Sequence, residues 1–222
     1  MTQVIVIASQ KGGAGKTTLA THMAVAAARL GWRVGLVDLD PQATASKWGK
    51  RRQQERHTPE IDVVASQAEL LGDTLAHAAA NGADLVFVDT APSADRASLV
   101  AARQANFMLI PVRPATFDIE AIGATRDVAE LARKPAAIVI NAAIVRTNIA
   151  LEARRGLEAA GAALAPMTIH QRIALSHAVI DGRTAMELEP GGKAALEVEA
   201  LTLWTCGQVG LQACRHAGKA AA

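Results

Sequence analysis

A glycine-rich stretch near the amino terminus has the residue types and the spacing to hold the phosphates of a nucleotide. This stretch, called here the phosphate loop, reads Gln10-Lys11-Gly12-Gly13-Ala14-Gly15-Lys16-Thr17-Thr18. Glycines let backbone N–H groups turn toward an anion, the charge of Lys16 reaches the β- and γ-phosphates, and the Thr17 hydroxyl is a ligand for Mg²⁺. An apolar run precedes the loop at 4–8 and a helix-like segment follows at 19–30, as such a motif requires. The sequence therefore predicts a site for ATP and Mg²⁺.

Three aspartates follow two further β-type runs. Asp38 and Asp40 come after the run 33–37, and Asp89 comes after the run 85–88. Because ligands of open parallel sheets gather at the carboxyl ends of strands, we expect these carboxylates to meet the phosphate loop in one crevice. Carboxylates there hold Mg²⁺ through its water molecules or orient the water that attacks a phosphate. For Asp38, a turn or helix-capping role is the alternative.

The phosphate loop departs from the ordinary pattern at its start, where Gln10 stands in place of a glycine and Lys11 adds a second lysine. This spelling resembles the deviant Walker A loop of the ParA/MinD family of dimerising ATPases. The resemblance implies that Lys11 crosses the dimer interface to the partner's nucleotide and acts with Lys16 in catalysis. It also implies that Asp40 is the catalytic aspartate and that Asp89 supports the metal, beside Thr17 and Asp38.

Later segments resemble the small ParF-like branch of plasmid-partition ATPases within that family. Pro111-Val112-Arg113-Pro114, followed by Phe117-Asp118, looks like the proline-bearing loop that this branch has after a core strand. Residues 167–172 and 179–182 look like its late strand and following helix. Asn141, at a predicted strand end, matches a position that often reads the adenine edge in the family. A helix-capping or turn role for Asn141 is an equal alternative.

Alternating β and α segments must position these residues. The pattern predicts strands at 3–9, 33–38, 62–65, 84–89, 106–112, 136–141 and 163–169, with helices that include 43–56, 67–80, 117–132 and 148–160. Strands separated by helices predict an α/β fold with a doubly wound, mostly parallel sheet, which is the P-loop NTPase arrangement. We expect one ATPase domain over 1–217 and a frayed tail over 218–222.

Composition agrees with a soluble protein of one domain. Half of the 222 residues are apolar, yet no apolar run approaches the length of a membrane span. No export signal is recognisable, so we expect a cytoplasmic protein. Cys206 and Cys214 lie in a helical tail without histidine pairs at ligand spacing, which argues against a disulfide framework and a zinc site.

The basic residues lie mainly in the second part of the chain. Up to Ala132 there are 13 basic and 14 acidic residues, and after it 10 basic and 7 acidic. Such an excess could gather on one face and bind DNA phosphates without reading sequence, although solvated helix faces explain it as well. A second basic group surrounds Trp48, where it could sense the nucleotide state or could simply be an exposed helix face; its members are Lys47, Lys50, Arg51, Arg52 and Arg56. The DNA-binding candidates are Arg146, Arg154, Arg155, Arg172 and Arg183.

The family resemblance implies a nucleotide switch used in DNA partitioning. In that scheme two ATP-bound chains pair, the homodimer binds nonspecific DNA on the nucleoid, and hydrolysis dissolves it, stimulated by a ParB-like protein or a cargo adaptor. The segment 89–95 would be the switch. Positioning of a protein cargo and a MinD-like role at a membrane surface are alternatives. The stretch 197–215 has no lysine or arginine between Trp204 and Arg215, so we expect no membrane binding. ATP-coupled amidation or metal-cluster delivery would need a substrate domain or clustered cysteines.

Overall fold

One seven-stranded sheet, in which every strand pair is parallel, organises the chain. The computed structural model describes residues 1–92 and 96–212, apart from the side chain of Phe117. The sheet order is β3-β2-β4-β1-β5-β6-β7, which confirms the α/β, doubly wound prediction. The strands are β1 (Gln3–Ile7), β2 (Val34–Asp38), β3 (Asp62–Ala65), β4 (Leu85–Asp89), β5 (Phe107–Val112), β6 (Ala136–Ala143) and β7 (Leu164–His170).

Helices cover both faces of this sheet. They are α1 (Lys16–Arg29), α2 (Thr44–Gln54), α3 (Leu71–Ala80), α4 (Arg96–Gln104), α5 (Thr116–Glu120), α6 (Ile122–Ala132), α7 (Ile149–Ala159), α8 (Ile173–His177), α9 (Ala185–Leu188) and α10 (Lys193–Gln208). Short 3₁₀ turns lie at Ala68–Leu70 and Ala178–Asp181. The predicted helix 117–132 is therefore two helices, α5 and α6, which meet at Ala121.

The central strands β1, β2, β4 and β5 are mostly apolar because both of their faces are buried, whereas the edge strand β3 is largely exposed. Successive side chains of a strand point to opposite sides, so Ile5 and Ile7 pack with α1, α2 and α10, whereas Val4 and Val6 pack with α3, α4 and α6. A third cluster, around Ile138 and Ile140, joins β5 and β6 to α7. The core therefore lies on both sides of the sheet. Polar residues lie at the edge formed by the carboxyl ends of the strands.

Strand register brings the predicted acidic residues to that edge. Asp89 of β4 pairs with Asp38 of β2 on one side and with Ile7 of β1 on the other. Since β1 leads directly into the phosphate loop, the loop and the two aspartates occupy one end of three adjacent strands.

The carboxyl-terminal helix α10 packs on the domain. Leu201 is fully buried, and the ring of Trp204 makes an edge-on contact with Phe107 at 5.8 Å between centroids. None of the described helices is long and apolar enough to cross a membrane. Residues 93–95 of the expected switch, and the expected tail 218–222 with Cys214 and Arg215, lie outside the described residues.

Candidate nucleotide-binding site

The phosphate loop ends in a glycine with a left-handed backbone. Gly15 has φ 88° and precedes the first residue of α1, and no side chain caps the N-terminus of that helix. The first N–H groups of α1 therefore have no side-chain acceptor and are available to an anion. A Cβ on Gly15 would lie 2.3 Å from Nδ2 of Asn141, so only glycine fits at this position. The helix begins three residues earlier than the sequence predicted because Gly15 supplies its cap.

Lys16 lies inside the loop and not in solvent. Its Nζ donates to the carbonyl oxygen of Ser9 at 3.1 Å and to that of Lys11 at 3.5 Å. Burial lowers the pKa of Lys16, an effect that the negative charges of Asp89 and Asp40 oppose. The ammonium is thus held within the loop, with two carboxylates close enough to favour its charged form.

Asp89 is fully buried and poorly compensated. Among the residues that the structure describes, neither of its carboxylate oxygens has a hydrogen-bond partner of good geometry, although the Thr17 hydroxyl lies near enough to favour the ionised form. Burial raises the pKa of Asp89 to about 7, an effect that Thr17 and Lys16 oppose and Asp38 reinforces. A buried carboxylate to which the described residues offer no well-aligned donor, beside a threonine hydroxyl, is a donor set that suits Mg²⁺, which binds one or two carboxylates and the oxygens of a nucleotide.

Asp38, directly opposite, uses both of its oxygens within the protein. Oδ1 accepts the N–H of Asp40 at 3.1 Å, and Oδ2 accepts the N–H of Ser46 at 2.8 Å. Ser46 is in the first turn of α2, so Asp38 supplies the acceptor that this helix start otherwise lacks. The capping alternative for Asp38 thus has direct contacts behind it, while its metal role stays a prediction.

Asp40 lies in a tight turn between β2 and α2. Its Oδ1 accepts the N–H of Gln42 at 2.9 Å, and its carbonyl oxygen accepts the N–H of Ala43 at 2.8 Å. Ala43 has φ 52°, a left-handed conformation that alanine rarely adopts. The turn fixes Asp40 at the mouth of the crevice, partly exposed, where a carboxylate can contact solvent water.

Asn141 holds the backbone of the phosphate loop. Its Nδ2 donates to the carbonyl oxygen of Ala14 at 2.7 Å. The register of β6 against β7 shifts between Ile140 and Ala143, and Ala142 has φ 52°. Such an irregularity re-aims a strand side chain, here toward the loop. This contact was not predicted, and the predicted adenine contact stays a prediction.

Lys11 is half exposed at the start of the loop. Its Nζ lies 4.0 Å from Oδ1 of Asp118, a nearly fully buried carboxylate on α5. In the sequence, Asp118 and Arg113 are recognisable only as parts of a proline-bearing segment. The parallel pairing of β5 with β1 places that segment at the same edge as the loop. The position of Arg113 at the end of a strand was the signal that could have identified it.

Three of the five DNA-binding candidates, Arg154, Arg172 and Arg183, have partners within the chain. Arg154 donates through Nη2 to the carbonyl oxygens of Ala165 at 2.9 Å and Met167 at 3.2 Å. Arg172 donates to the Glu197 carboxylate, with Nη2 2.6 Å from Oε1. Their charges are therefore engaged within the chain.

Arg183 is similarly paired, with Nη2 2.7 Å from Oδ2 of Asp181. Arg146 and Arg155 are exposed. The five arginines thus do not form one equivalent basic surface, and DNA binding by them stays a prediction.

The basic group around Trp48 is also divided. Arg52 is buried and donates to both oxygens of Glu187, at 2.9 and 3.0 Å, whereas Lys50 and Arg56 are exposed. Arg52 is therefore part of the core and not of an exposed helix face.

Comparison with known proteins finds matches over most of the chain. The family model described as CobQ/CobB/MinD/ParA nucleotide binding domain matches residues 5–185. The Maintenance of carboxysome distribution protein A of Halothiobacillus neapolitanus is 31% identical over 199 residues, which cover 87% of this chain and 91% of that protein. The chromosome-partitioning ATPase Soj of Thermus thermophilus is 35% identical over 145 residues, which cover 53% of this chain and 57% of Soj.

Among solved structures, the septum site-determining protein MinD of Pyrococcus horikoshii, complexed with Mg-ADP, superimposes with a TM-score of 0.76. The match covers 92% of this chain and 96% of that one at 17% sequence identity. At this identity the likeness shows the fold, which is that of the described sheet and helices.

Proposed function

Because this chain belongs to the family of CobQ/CobB/MinD/ParA nucleotide-binding domains, we propose that it is a Mg²⁺-dependent ATPase that dimerises with ATP. The hydrolysis reaction converts ATP to ADP and phosphate. The dimer binds nonspecific DNA and serves as a switch in DNA partitioning, on the nucleoid and with a ParB-like or cargo-adaptor partner.

The arrangement around the partnerless carboxylate of Asp89 carries this proposal. Asp89 is buried without a hydrogen-bond partner among the described residues, next to Thr17 and in register with Asp38. Bound Mg²⁺ would supply the positive charge that this carboxylate lacks and would neutralise charge on the phosphates. Lys16 provides a fixed cation, and Asp40 is placed to orient the water that attacks the γ-phosphate.

The second lysine of the phosphate loop supports the dimer part of the proposal. Lys11 is at the loop surface, and its contact with Asp118 at 4.0 Å is too long for a strong hydrogen bond. Its ammonium can therefore exchange this partner for the phosphates of a nucleotide on a second chain. A nucleotide that is contacted from both chains couples dimerisation to the γ-phosphate.

The cargo divides this proposal into two candidates. Partitioning of a plasmid or chromosome is the function favoured by the ParF-like segments and by the similarity to Soj, which covers half of the chain. Positioning of a protein assembly is favoured by the similarity to a carboxysome distribution protein, which covers most of both chains. Deletion of the gene in its host separates the two candidates, because the first predicts loss of a replicon and the second predicts a misplaced assembly with replicons retained.

The test of the switch compares three proteins by sedimentation and by DNA affinity across a salt series, with ATP and Mg²⁺ present. The wild type should dimerise and show a steep salt dependence, because a dimer neutralises about twice as many DNA phosphates as a monomer. Lys11→Ala should keep ATP affinity within about tenfold but remain monomeric with a shallow salt slope. Lys134→Ala removes one charge just before β6, at the amino edge of the sheet, and should behave as the wild type.

Lys16→Ala identifies the nucleotide site, since it should lose measurable ATP binding. A Lys11→Ala protein that dimerises with ATP and keeps the wild-type salt slope would contradict the switch. A wild-type protein that binds no ATP would contradict the ATPase itself.

A further inference from the structure

A charged cluster beside the phosphate loop comes from the segment that follows β5. It consists of Arg113, just after the strand, Asp118 on α5, and Lys11 of the loop itself. Strand β5 pairs with β1 in parallel, with Ile7 opposite Leu109, so the ends of both strands reach the same crevice. Three charged side chains are thus gathered where the nucleotide site begins.

Asp118 fixes the orientation of Arg113. The carboxylate of Asp118 is 4% exposed, and it accepts hydrogen bonds from both Nε and Nη2 of Arg113, the latter at 3.2 Å. A carboxylate this deeply buried is costly unless it is paired, so the pair constrains the arginine as well as the aspartate. Two parallel N–H···O bonds hold the plane of the guanidinium in one position.

This pairing leaves the Nη1 edge of Arg113 directed at the loop. Guanidinium has five N–H donors, and the paired edge uses Nε and Nη2. A Cβ built on Gly13 would lie 3.9 Å from Nη1, so this nitrogen lies on the side of the loop toward which a side chain at Gly13 would point. We propose that Arg113 is a phosphate-binding residue of the nucleotide site, which Asp118 positions so that Nη1 donates to a phosphate oxygen of the nucleotide in the same chain.

The arrangement also explains how Lys11 can leave Asp118. Arg113 contacts Asp118 with two hydrogen bonds, whereas Lys11 lies 4.0 Å away. When Lys11 turns to a second chain, the buried carboxylate keeps its guanidinium partner, so no unpaired charge is created in the interior. This inference rests on the proposed ATPase function and adds one cation to its phosphate site.

The experiment measures the affinity of the protein for a non-hydrolysable ATP analogue in the presence of Mg²⁺. It is done in the wild-type background and in the Lys11→Ala background. Arg113→Gln should weaken binding about tenfold to hundredfold in both backgrounds, since a charge-assisted hydrogen bond is lost. Arg103→Gln, at the end of α4 and exposed, is the matched control and should leave the affinity unchanged. Unchanged affinity in Arg113→Gln overturns the proposal, and a loss confined to the wild-type background overturns the assignment to the same chain.

Two further variants separate phosphate binding from simple neutralisation of Asp118. Asp118→Asn should weaken binding less than Arg113→Gln, and the double variant should be no weaker than Arg113→Gln alone, because Asp118 acts through Arg113. Arg113→Lys should bind the nucleotide analogue more weakly than the wild type does. A single ammonium lacks the planar set of donors that lets a guanidinium contact Asp118 and a phosphate at the same time. Full recovery in Arg113→Lys would overturn the positioning of a guanidinium by Asp118, because a single ammonium would then be sufficient. Binding by the wild type that is lost in Lys16→Ala shows that the assay reports the phosphate loop, so a failure of the proposed ATPase site is distinguished from a failure of the role given to Arg113.

Discussion

Asp38 and Asp89 are opposite each other on neighbouring parallel strands, yet among the described residues only Asp38 has well-aligned hydrogen-bond donors for both of its carboxylate oxygens. The N–H groups of Asp40 and Ser46 occupy both oxygens of Asp38, whereas the described residues leave both oxygens of Asp89 without a well-aligned donor. The carboxylate of Asp38 therefore holds the turn and the start of α2, whereas that of Asp89 is available to a cation.

The Asp38→Asn and Asp89→Asn variants should consequently shift the melting temperature in opposite directions when no nucleotide is present. Asp38→Asn replaces an acceptor by a donor that faces an N–H group, which should lower stability by about 1–3 kcal/mol. Above about pH 7, where this carboxyl is ionised, Asp89→Asn removes a buried, poorly compensated charge and should raise the melting temperature while reducing Mg²⁺-dependent hydrolysis at least tenfold. Thermal unfolding with a hydrolysis assay tests both, and equal shifts in the two variants would contradict the division of roles.

Asp40→Ala should separate hydrolysis from assembly. The carboxylate of Asp40 accepts the N–H of Gln42 and makes no described hydrogen bond with Lys16 or the phosphate loop, so ATP should bind and the dimer should persist while turnover stops. Sedimentation with ATP and release of phosphate are the two measurements. A protein that stays monomeric with ATP, or hydrolyses it at the wild-type rate, would show that Asp40 does something else.

Asn141→Ala tests whether this residue supports the loop or reads the base. Loss of the hydrogen bond to the Ala14 carbonyl should weaken ATP and GTP binding alike, by about threefold to tenfold. A residue that reads the adenine edge would instead affect ATP and leave GTP binding unchanged. Binding isotherms for the two nucleotides decide between these roles.

His22 should make the protein sensitive to mild acid. This side chain of α1 is fully buried, its Nδ1 is 2.8 Å from the carbonyl oxygen of Thr18, and burial lowers its pKa to about 4. Because the unfolded state binds the proton at higher pH than the native state, the contribution of neutral His22 to stability is fully present above about pH 6.5. This contribution is lost as the pH falls toward 4.

Between pH 7.5 and pH 5 this effect should amount to about 2 kcal/mol, measured as the free energy of unfolding in urea. His22→Leu should lose that part of the pH dependence and keep the remainder. Identical pH profiles for the two proteins would assign the acid sensitivity to other groups.

The sheet and the phosphate loop could be predicted from the sequence because both depend on local patterns. Apolar runs of strand length, separated by helical segments, predict a parallel sheet, and Lys16, Thr17 and Asp89 follow from strand ends and glycine spacing. Helix α1 was placed three residues late, because the left-handed backbone of Gly15 is decided by the packing of Asn141 against it.

The remaining features depend on contacts that are distant in the chain. The hydrogen bond from Asn141 to Ala14 spans 127 residues and depends on an irregularity in β6 that no local signal predicts. The burial of Arg52 depends on Glu187, 135 residues away. Side chains of these types are usually exposed, so only the tertiary structure could distinguish Arg52 from its basic neighbours.

The buried ring of Trp48 gives α2 an optical reporter of its own. Its indole N–H donates to the carbonyl oxygen of Arg183 at 3.2 Å, and the Arg52 guanidinium lies 5.5 Å from the ring centroid. Because Asp38 anchors the first turn of the same helix, any rearrangement of the crevice that moves α2 changes the surroundings of this fluorophore. With Trp32 and Trp204 replaced by phenylalanine, the emission spectrum should shift when ATP is added and return when it has been consumed.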